Sequence, residues 1–245
     1  MQRIRGLAGS GKTIVLALKV AYLHMQNPDW RIGVTFNTRS LKEQFKRLIN
    51  NFTIEQTGAE PDWENIDILN AWGAPGDKER DGIYHKYCRI HEIDFYDFSA
   101  ARRSFGERNE FAGACGEALK PVNDASAIYD MMLVDEAQDI GVAHLRFLAA
   151  LGGGRPNALF FAGDLGQRIF QQPFSWKTLG VDIRGRSRTL RVNYRTSHQI
   201  RTQADRLLGP AVSDGDGNSE DRSDTVSVFN GPPPTILSLK NEGEE

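Results

Sequence analysis

GLAGSGKT, residues 6–13, is the most informative segment of the chain. It fits the pattern G-x-x-x-x-G-K-[ST] at Gly6, Gly11, Lys12 and Thr13. Glycines let the backbone curl until successive N–H groups face an anion, and the start of a following helix adds a partial positive charge. We therefore expect a phosphate-binding loop, with Lys12 on the β- and γ-phosphates of a nucleotide and the Thr13 hydroxyl on Mg²⁺.

The residues on either side of this loop favour the same interpretation. Residues 2–5 can form a short strand, and residues 14–22 continue as a mostly apolar helix that stops near Pro28. A chance glycine-rich turn has no reason to carry a strand and a helix in this order. The residues predicted to hold ATP in this loop are Gly9, Ser10, Gly11, Lys12 and Thr13.

A second element, VDEAQD at residues 134–139, follows an apolar run at 131–134. A continuous apolar run predicts a strand buried on both faces, whose carboxyl end is where a parallel α/β sheet presents ligands. One of the acids Asp135 and Glu136 can hold Mg²⁺, and the other can activate water as a general base. The alternative is a solvated acidic turn that caps the next helix, which is our interpretation for Asp139.

Two further elements follow in the chain. AGDLGQ at residues 162–167 again ends an apolar run, and its Gln167 can hydrogen-bond both a γ-phosphate and the attacking water. NYRT occupies residues 193–196. Between them lie aromatic side chains that can stack the bases of a single strand or pack in a core. These aromatic residues are Phe170, Phe174 and Trp176.

In this order the four elements resemble the UvrD/Rep-like superfamily 1 DNA helicases, and the likeness runs from residue 2 to about 208. The resemblance implies a motor that hydrolyses ATP between two RecA-like domains and moves along single-stranded DNA, usually 3′ to 5′. It implies that Asp135 binds Mg²⁺, Glu136 is the catalytic base and Gln167 is the γ-phosphate sensor. It also implies that Tyr194 stacks on adenine and that Arg195 reaches the γ-phosphate.

A segment at residues 35–39 is similar to the family's first DNA-contacting motif. Phe36 would then stack a base, and Asn37, Thr38 or Arg39 would grip phosphate. The alternative is helix capping by Asn37 or Thr38, with Phe36 in the core. Phe170 is a further base-stacking candidate, although the family's second aromatic residue is replaced by Gln172.

The expected fold class is α/β: a RecA-like P-loop NTPase with a parallel sheet flanked by helices and a short inserted helical arm. Residues 1–188 form the first RecA-like domain, with the polar and irregular arm at about 73–127. Residues 189–245 are the truncated start of the second domain. We expect this part to be largely mobile after residue 209, with strands at 225–229 and 235–239 that lack partners. Because the opposing wall of the site is missing, we expect little hydrolysis by this chain alone.

The pattern of apolar residues predicts where the regular elements begin and end. Strands are expected at residues 2–5, 32–36, 66–69, 131–134, 158–162 and 189–192. Helices are expected at residues 12–25, 40–50, 142–151 and 197–208.

Composition and charge agree with a cytoplasmic protein. Forty per cent of the 245 residues are hydrophobic and 25% are charged, which is typical of a globular α/β domain, and no apolar run is long enough to cross a bilayer. The net charge is −2, but residues 1–50 hold nine Lys or Arg against two Asp or Glu. This basic part contains the P-loop and the predicted strand-gripping turn, which suits phosphate contacts, although a solvated helix face explains some of these charges equally well.

Single-stranded DNA is therefore the expected partner, and ATP with Mg²⁺ the expected cofactors. Two alternatives stay open. One is an RNA-directed motor of the same superfamily, since no residue identified above reads the sugar 2′-hydroxyl. The other is a nucleotide-dependent switch in a regulatory or defence module, which changes partners without translocating.

Overall fold

The computed structural model describes residues 2–36, 41–76, 80–120, 127–153, 157–164, 186–208, 211–213, 219–221 and 224–235. The strands are β1 Gln2–Gly6, β2 Ile32–Phe36, β3 Ile66–Asn70, β4 Met131–Val134, β5 Leu159–Asp164, β6 Ser187–Leu190, β7 Val192–Asn193, β8 Ala211–Ser213, β9 Ser219–Asp221 and β10 Val226–Ser227. The helices are α1 Lys12–Gln26, α2 Leu41–Thr57, α3 Ile83–Ile90, α4 Phe98–Phe105, α5 Glu110–Leu119, α6 Val142–Leu151 and α7 His198–Leu208. In the described part of the chain, no helix is both long and apolar enough to cross a membrane.

Six strands form one parallel sheet in the order β3-β2-β4-β5-β1-β6. Parallel strands end at the same edge, so the carboxyl ends of β4, β5, β1 and β6 lie side by side. The sheet with helices packed on it confirms the predicted fold class, an α/β protein with a parallel sheet flanked by helices.

Both faces of the sheet are covered, because successive residues of a strand point to opposite sides. In β4, Met131 and Leu133 pack in a core cluster with α1 and α2, while Met132 and Val134 pack in a second cluster with α3, α5 and α6. In β5, Phe160 and Phe161 divide between the two clusters in the same way. The apolar run that predicted a strand buried on both faces is therefore explained by this double packing.

The segment at residues 73–127 was expected to form a short helical arm, but in its described part the helices pack into the core instead. Its described part contains α3, α4 and α5, and their inward residues complete the second core cluster on the sheet. Ile83, Tyr84 and Tyr87 of α3 are fully buried there, as is Cys115 of α5. The physical reason is that short amphipathic helices hide their apolar residues among many charged ones, so that the segment resembles a solvated loop in sequence.

The carboxyl-terminal part also differs from the prediction in two places. The expected strand at 189–192 is divided into β6, which pairs with β1, and β7, which pairs with β10. Strand β6 therefore continues the main sheet past the predicted boundary after residue 188. The predicted strand at 225–229 was expected to lack a partner, but Val226 and Ser227 pair with Val192 and Asn193. Residues 236–239 of the other predicted strand lie outside the described residues.

Candidate active site

The loop between β1 and α1 has the backbone of a phosphate cradle. Gly9 and Gly11 have φ values of 83° and 88°, in the left-handed region that glycine adopts at little cost. Gly11 also ends the loop as the N-cap of α1. The Ser10 hydroxyl is buried and makes no hydrogen bond with any described residue. The loop therefore turns sharply at two points and leaves a buried hydroxyl group available to a ligand.

Lys12 lies inside this cradle although it carries a charge. Its side chain is buried, and Nζ donates to the carbonyl oxygens of Gly6 at 3.4 Å and Leu7 at 3.2 Å. The loop carbonyls thus hold the ammonium group folded back over the P-loop. An ammonium in this place can neutralise an anion bound by the loop.

Thr13 and Asp135 meet although 122 residues separate them. Thr13 Oγ1 donates to Asp135 Oδ2 at 2.7 Å, and the backbone N–H of Glu136 donates to Asp135 Oδ1 at 3.0 Å. Asp135 is fully buried. Burial raises the pKa of its carboxyl group to about 6, against the lowering effect of the Thr13 hydrogen bond. Hard oxygen donors of this kind fit Mg²⁺, and a buried carboxylate gains most from a neighbouring cation.

Glu136 has a strained backbone and a restrained side chain. Its φ of 51° and ψ of 44° place a non-glycine residue in the left-handed region, a conformation that is enriched at functional sites. Gln138 Nε2 donates to Glu136 Oε2 at 2.5 Å. The Gln138 amide therefore restrains the carboxylate, and Glu136 lines the same cavity as the P-loop.

The turn after β7 is placed directly on the P-loop. The N–H of Tyr194 donates to the carbonyl oxygen of Gly9 at 2.9 Å, and Asn193 Nδ2 donates to the carbonyl oxygen of Ala8 at 3.0 Å. Tyr194 is 62% exposed and lines the cavity described below, so its side chain is accessible to a partner. Arg195, the next residue, is also exposed.

These elements surround one cavity of about 740 Å³. This volume lies within the range of small-molecule sites. Of the residues predicted to bind or cleave a nucleotide, the cavity brings together Gly9, Ser10, Gly11, Lys12, Thr13, Glu136, Tyr194 and Arg195, and Asp135 contacts it through Thr13. Its wall also contains Ala8, Ile14, Val15, Gln44 and Leu190, which the sequence did not single out. Gln44 is an exposed residue of α2, and no pattern in the sequence shows that it faces the P-loop.

The residues predicted to contact DNA are placed differently. Phe36 is fully buried, and its ring stacks on that of Phe45 at 5.8 Å between centroids. The alternative in which Phe36 is a core residue is therefore the one that the structure supports, because the ring has no exposed face for a base. Five other predicted site residues lie outside the described residues: Asn37, Thr38, Arg39, Gln167 and Phe170.

Comparison with known proteins gives matches among solved structures only. No family model matches the chain, and no curated protein does. Among solved structures, the chain is similar to the UvsW helicase from bacteriophage T4, with 13% sequence identity and a TM-score of 0.35. The match covers 69% of this chain and 48% of the UvsW chain, so it spans about half the length of that protein.

Proposed function

We propose that the chain belongs to an ATP-hydrolysing nucleic-acid motor of the UvrD/Rep-like superfamily 1 type. The observation that carries the proposal is the 2.7 Å hydrogen bond between Thr13 and Asp135, which joins the P-loop to the acidic pair. Glu136, Tyr194 and Arg195 line the same cavity. A phosphate cradle, two oxygen ligands for a cation and a carboxylate for a water molecule are the parts that nucleotide hydrolysis needs.

In this mechanism the loop amides and Lys12 hold the β- and γ-phosphates, and Thr13 and Asp135 hold Mg²⁺. When bound, the cation supplies charge neutralisation on the phosphate oxygens. Glu136 accepts a proton from the water that attacks the γ-phosphorus, while the bond to the departing ADP oxygen breaks. Gln138 keeps the Glu136 carboxylate in place through its 2.5 Å hydrogen bond.

The other proposed roles follow from the resemblance of the sequence elements. The exposed ring of Tyr194 stacks on adenine, Arg195 reaches the γ-phosphate and Gln167 senses that phosphate. The substrate is single-stranded DNA, the polarity is 3′ to 5′, and Asn37, Thr38, Arg39 and Phe170 contact the strand. The first RecA-like domain, predicted at residues 1–188, extends to the end of β6 at Leu190, and the rest of the chain is the start of the second domain. The excess of basic residues at positions 1–50 supports a polyanionic partner.

ATP cleavage under single-turnover conditions tests this proposal. We expect slow cleavage that single-stranded DNA accelerates and that Lys12→Ala removes. Glu136→Gln should lower the rate by about 10²–10⁴-fold, the usual contribution of a general base, while the affinity for Mg-ATP changes little. Lys19→Ala, which removes a charge further along the same helix, is the matched control.

The polymer dependence separates the alternatives. Equal acceleration by single-stranded RNA would replace the DNA motor with an RNA-directed one. Cleavage that depends on Lys12 but responds to neither polymer would favour a nucleotide switch. Unchanged cleavage in Glu136→Gln would remove Glu136 from its role as the base.

A further inference from the structure

Asn193 has a side chain that contacts two parts of the candidate site at once. It is the last residue of β7 and is only 2% exposed. Its Nδ2 donates to the carbonyl oxygen of Ala8 in the P-loop at 3.0 Å. Its Oδ1 accepts hydrogen bonds from the backbone N–H groups of Arg195 and Thr196, both at 2.9 Å. The amide therefore joins the P-loop to the turn that carries Tyr194 and Arg195.

The contact between this turn and the P-loop is close. The Tyr194 N–H bonds the carbonyl oxygen of Gly9 at 2.9 Å. A Cβ atom on Gly9 would lie 2.5 Å from Arg195 Cβ and 2.9 Å from Asn193 Oδ1. Glycine at position 9 is thus needed both for its positive φ and for the approach of the turn. A small shift of this turn would therefore move the side chains of Tyr194 and Arg195 relative to the P-loop.

We propose that Asn193 is a positioning residue that sets the distance between the P-loop and the side chains of Tyr194 and Arg195. The inference rests on the proposed nucleotide site and adds a residue to it. The asparagine amide supplies a donor to Ala8 and an acceptor to the turn from the two ends of one short side chain. An aspartate keeps the acceptor but faces the Ala8 carbonyl with a second oxygen, and an alanine supplies neither group.

The main chain of Asn193 is held independently of its side chain. Its carbonyl oxygen accepts from the Val228 N–H at 3.1 Å, and β7 pairs with β10. A further bond from Arg201 Nε to Ser227 Oγ, at 3.1 Å, ties β10 to α7. Replacing the side chain should therefore remove its hydrogen bonds to the P-loop and to the turn, while the pairing of β7 with β10 stays in place. Variants at position 193 should fold and report on positioning.

The first readout needs no nucleotide. Amide hydrogen exchange, measured by NMR, should show loss of protection at Tyr194 in both Asn193→Asp and Asn193→Ala. Protection at Arg195 and Thr196 should persist in Asn193→Asp, which keeps the acceptor, and disappear in Asn193→Ala. Asn27→Asp is the matched control, because Asn27 Nδ2 also donates to a backbone carbonyl, that of Leu23, at the opposite end of α1.

The second readout is the affinity for Mg-ATP and Mg-ADP by calorimetry, with the thermal midpoint measured in parallel. In Asn193→Asp we expect a loss of about tenfold for ATP and about threefold for ADP, the size of one net hydrogen bond or less. The loss is greater for ATP because Arg195 is directed at the third phosphate. Asn27→Asp should leave both affinities unchanged.

Other results would overturn the inference in distinguishable ways. If Asn193→Asp folds and binds Mg-ATP and Mg-ADP as tightly as the wild type does, the positioning role is contradicted but the nucleotide site is not. An equal loss for ATP and ADP together with a lower thermal midpoint would show a structural role only. Absence of binding by the wild-type chain, or equal binding by Lys12→Ala, would remove the nucleotide site and this inference with it.

Discussion

At the scale of single residues, Asp135 is a site residue whose buried charge lowers the free energy of unfolding at neutral pH. Its carboxyl group is fully buried, and burial raises its pKa from 3.8 to about 6. The Thr13 hydroxyl and the Glu136 N–H offset only part of the cost of holding a charge there. A buried carboxylate of this kind is expected at a cation site. A bound cation would compensate the hydration free energy that the carboxylate loses on burial.

Asp135→Asn should therefore stabilise the protein without Mg²⁺ at neutral pH. The folded state binds the Asp135 proton more tightly than the unfolded state, so the free energy of unfolding falls as pH rises from about 4 to about 6. Removing the charge should raise that free energy by about 3 kcal/mol at most at pH 8, and by little at pH 4. Urea denaturation at both pH values measures this. Asp29→Asn, at an exposed position, is the control.

The same variant should lose Mg-ATP binding. A gain in stability with unchanged nucleotide affinity would show that Asp135 is not the cation ligand. A loss of stability at pH 8 would show instead that its charge is compensated in the folded protein.

At the scale of elements, the sequence predicts best where one residue pattern has one structural solution. Strands β2 and β4 and helix α6 begin and end at the predicted residues. In β2 and β4 a short run of apolar residues is buried on both faces of the sheet. A helical arm was predicted for the inserted segment, but its individual helices and their place in the core were not, because only one to four residues of each helix are buried between charged neighbours. Their contribution to the core depends on the fold, which packs α3 and α5 of this segment in the same core cluster as α6.

This packing predicts that α3 supports the whole domain. Ile83 is fully buried in the second core cluster, whereas Ile90, on the same helix, is 46% exposed. Ile83→Ala should lower the free energy of unfolding by about 2–5 kcal/mol, the usual cost of emptying a packed isoleucine site. Ile90→Ala should change it by about 0.5 kcal/mol or less. Equal effects of the two variants, measured by urea denaturation, would contradict the inclusion of α3 in the core.

At the scale of the whole molecule, the features that could not be predicted from the sequence are those that depend on contacts between residues far apart in the chain. The P-loop and the acidic pair were expected to lie together, and the hydrogen bond between Thr13 and Asp135 shows that they do. Gln44 was not predicted, and Asn193 was predicted only as part of the NYRT element without a role of its own, since each contacts the site through a neighbour that folding brings to it. The pairing of β10 with β7 belongs to the same class, because the strand at 225–229 was predicted but no neighbouring residue shows that β7 is its partner.

That pairing gives a prediction about the carboxyl-terminal part. The N–H groups of Val226 and Val228 donate to the carbonyl oxygens of Arg191 and Asn193, at 2.8 and 3.1 Å. We expect both amides to exchange at least about tenfold more slowly than in an unstructured peptide. Exchange at the unstructured rate would contradict the strand pairing and support a mobile segment after residue 209.

Calorimetric titration of Mg-ATP into the wild-type chain, Lys12→Ala and Lys19→Ala is the most direct test of whether this cavity binds a nucleotide. The site predicts binding by the wild type and by Lys19→Ala, and none by Lys12→Ala, whose ammonium group is missing from the cradle. Equal affinity in all three proteins, or no binding by the wild type, would contradict the claim that this cavity is a nucleotide site.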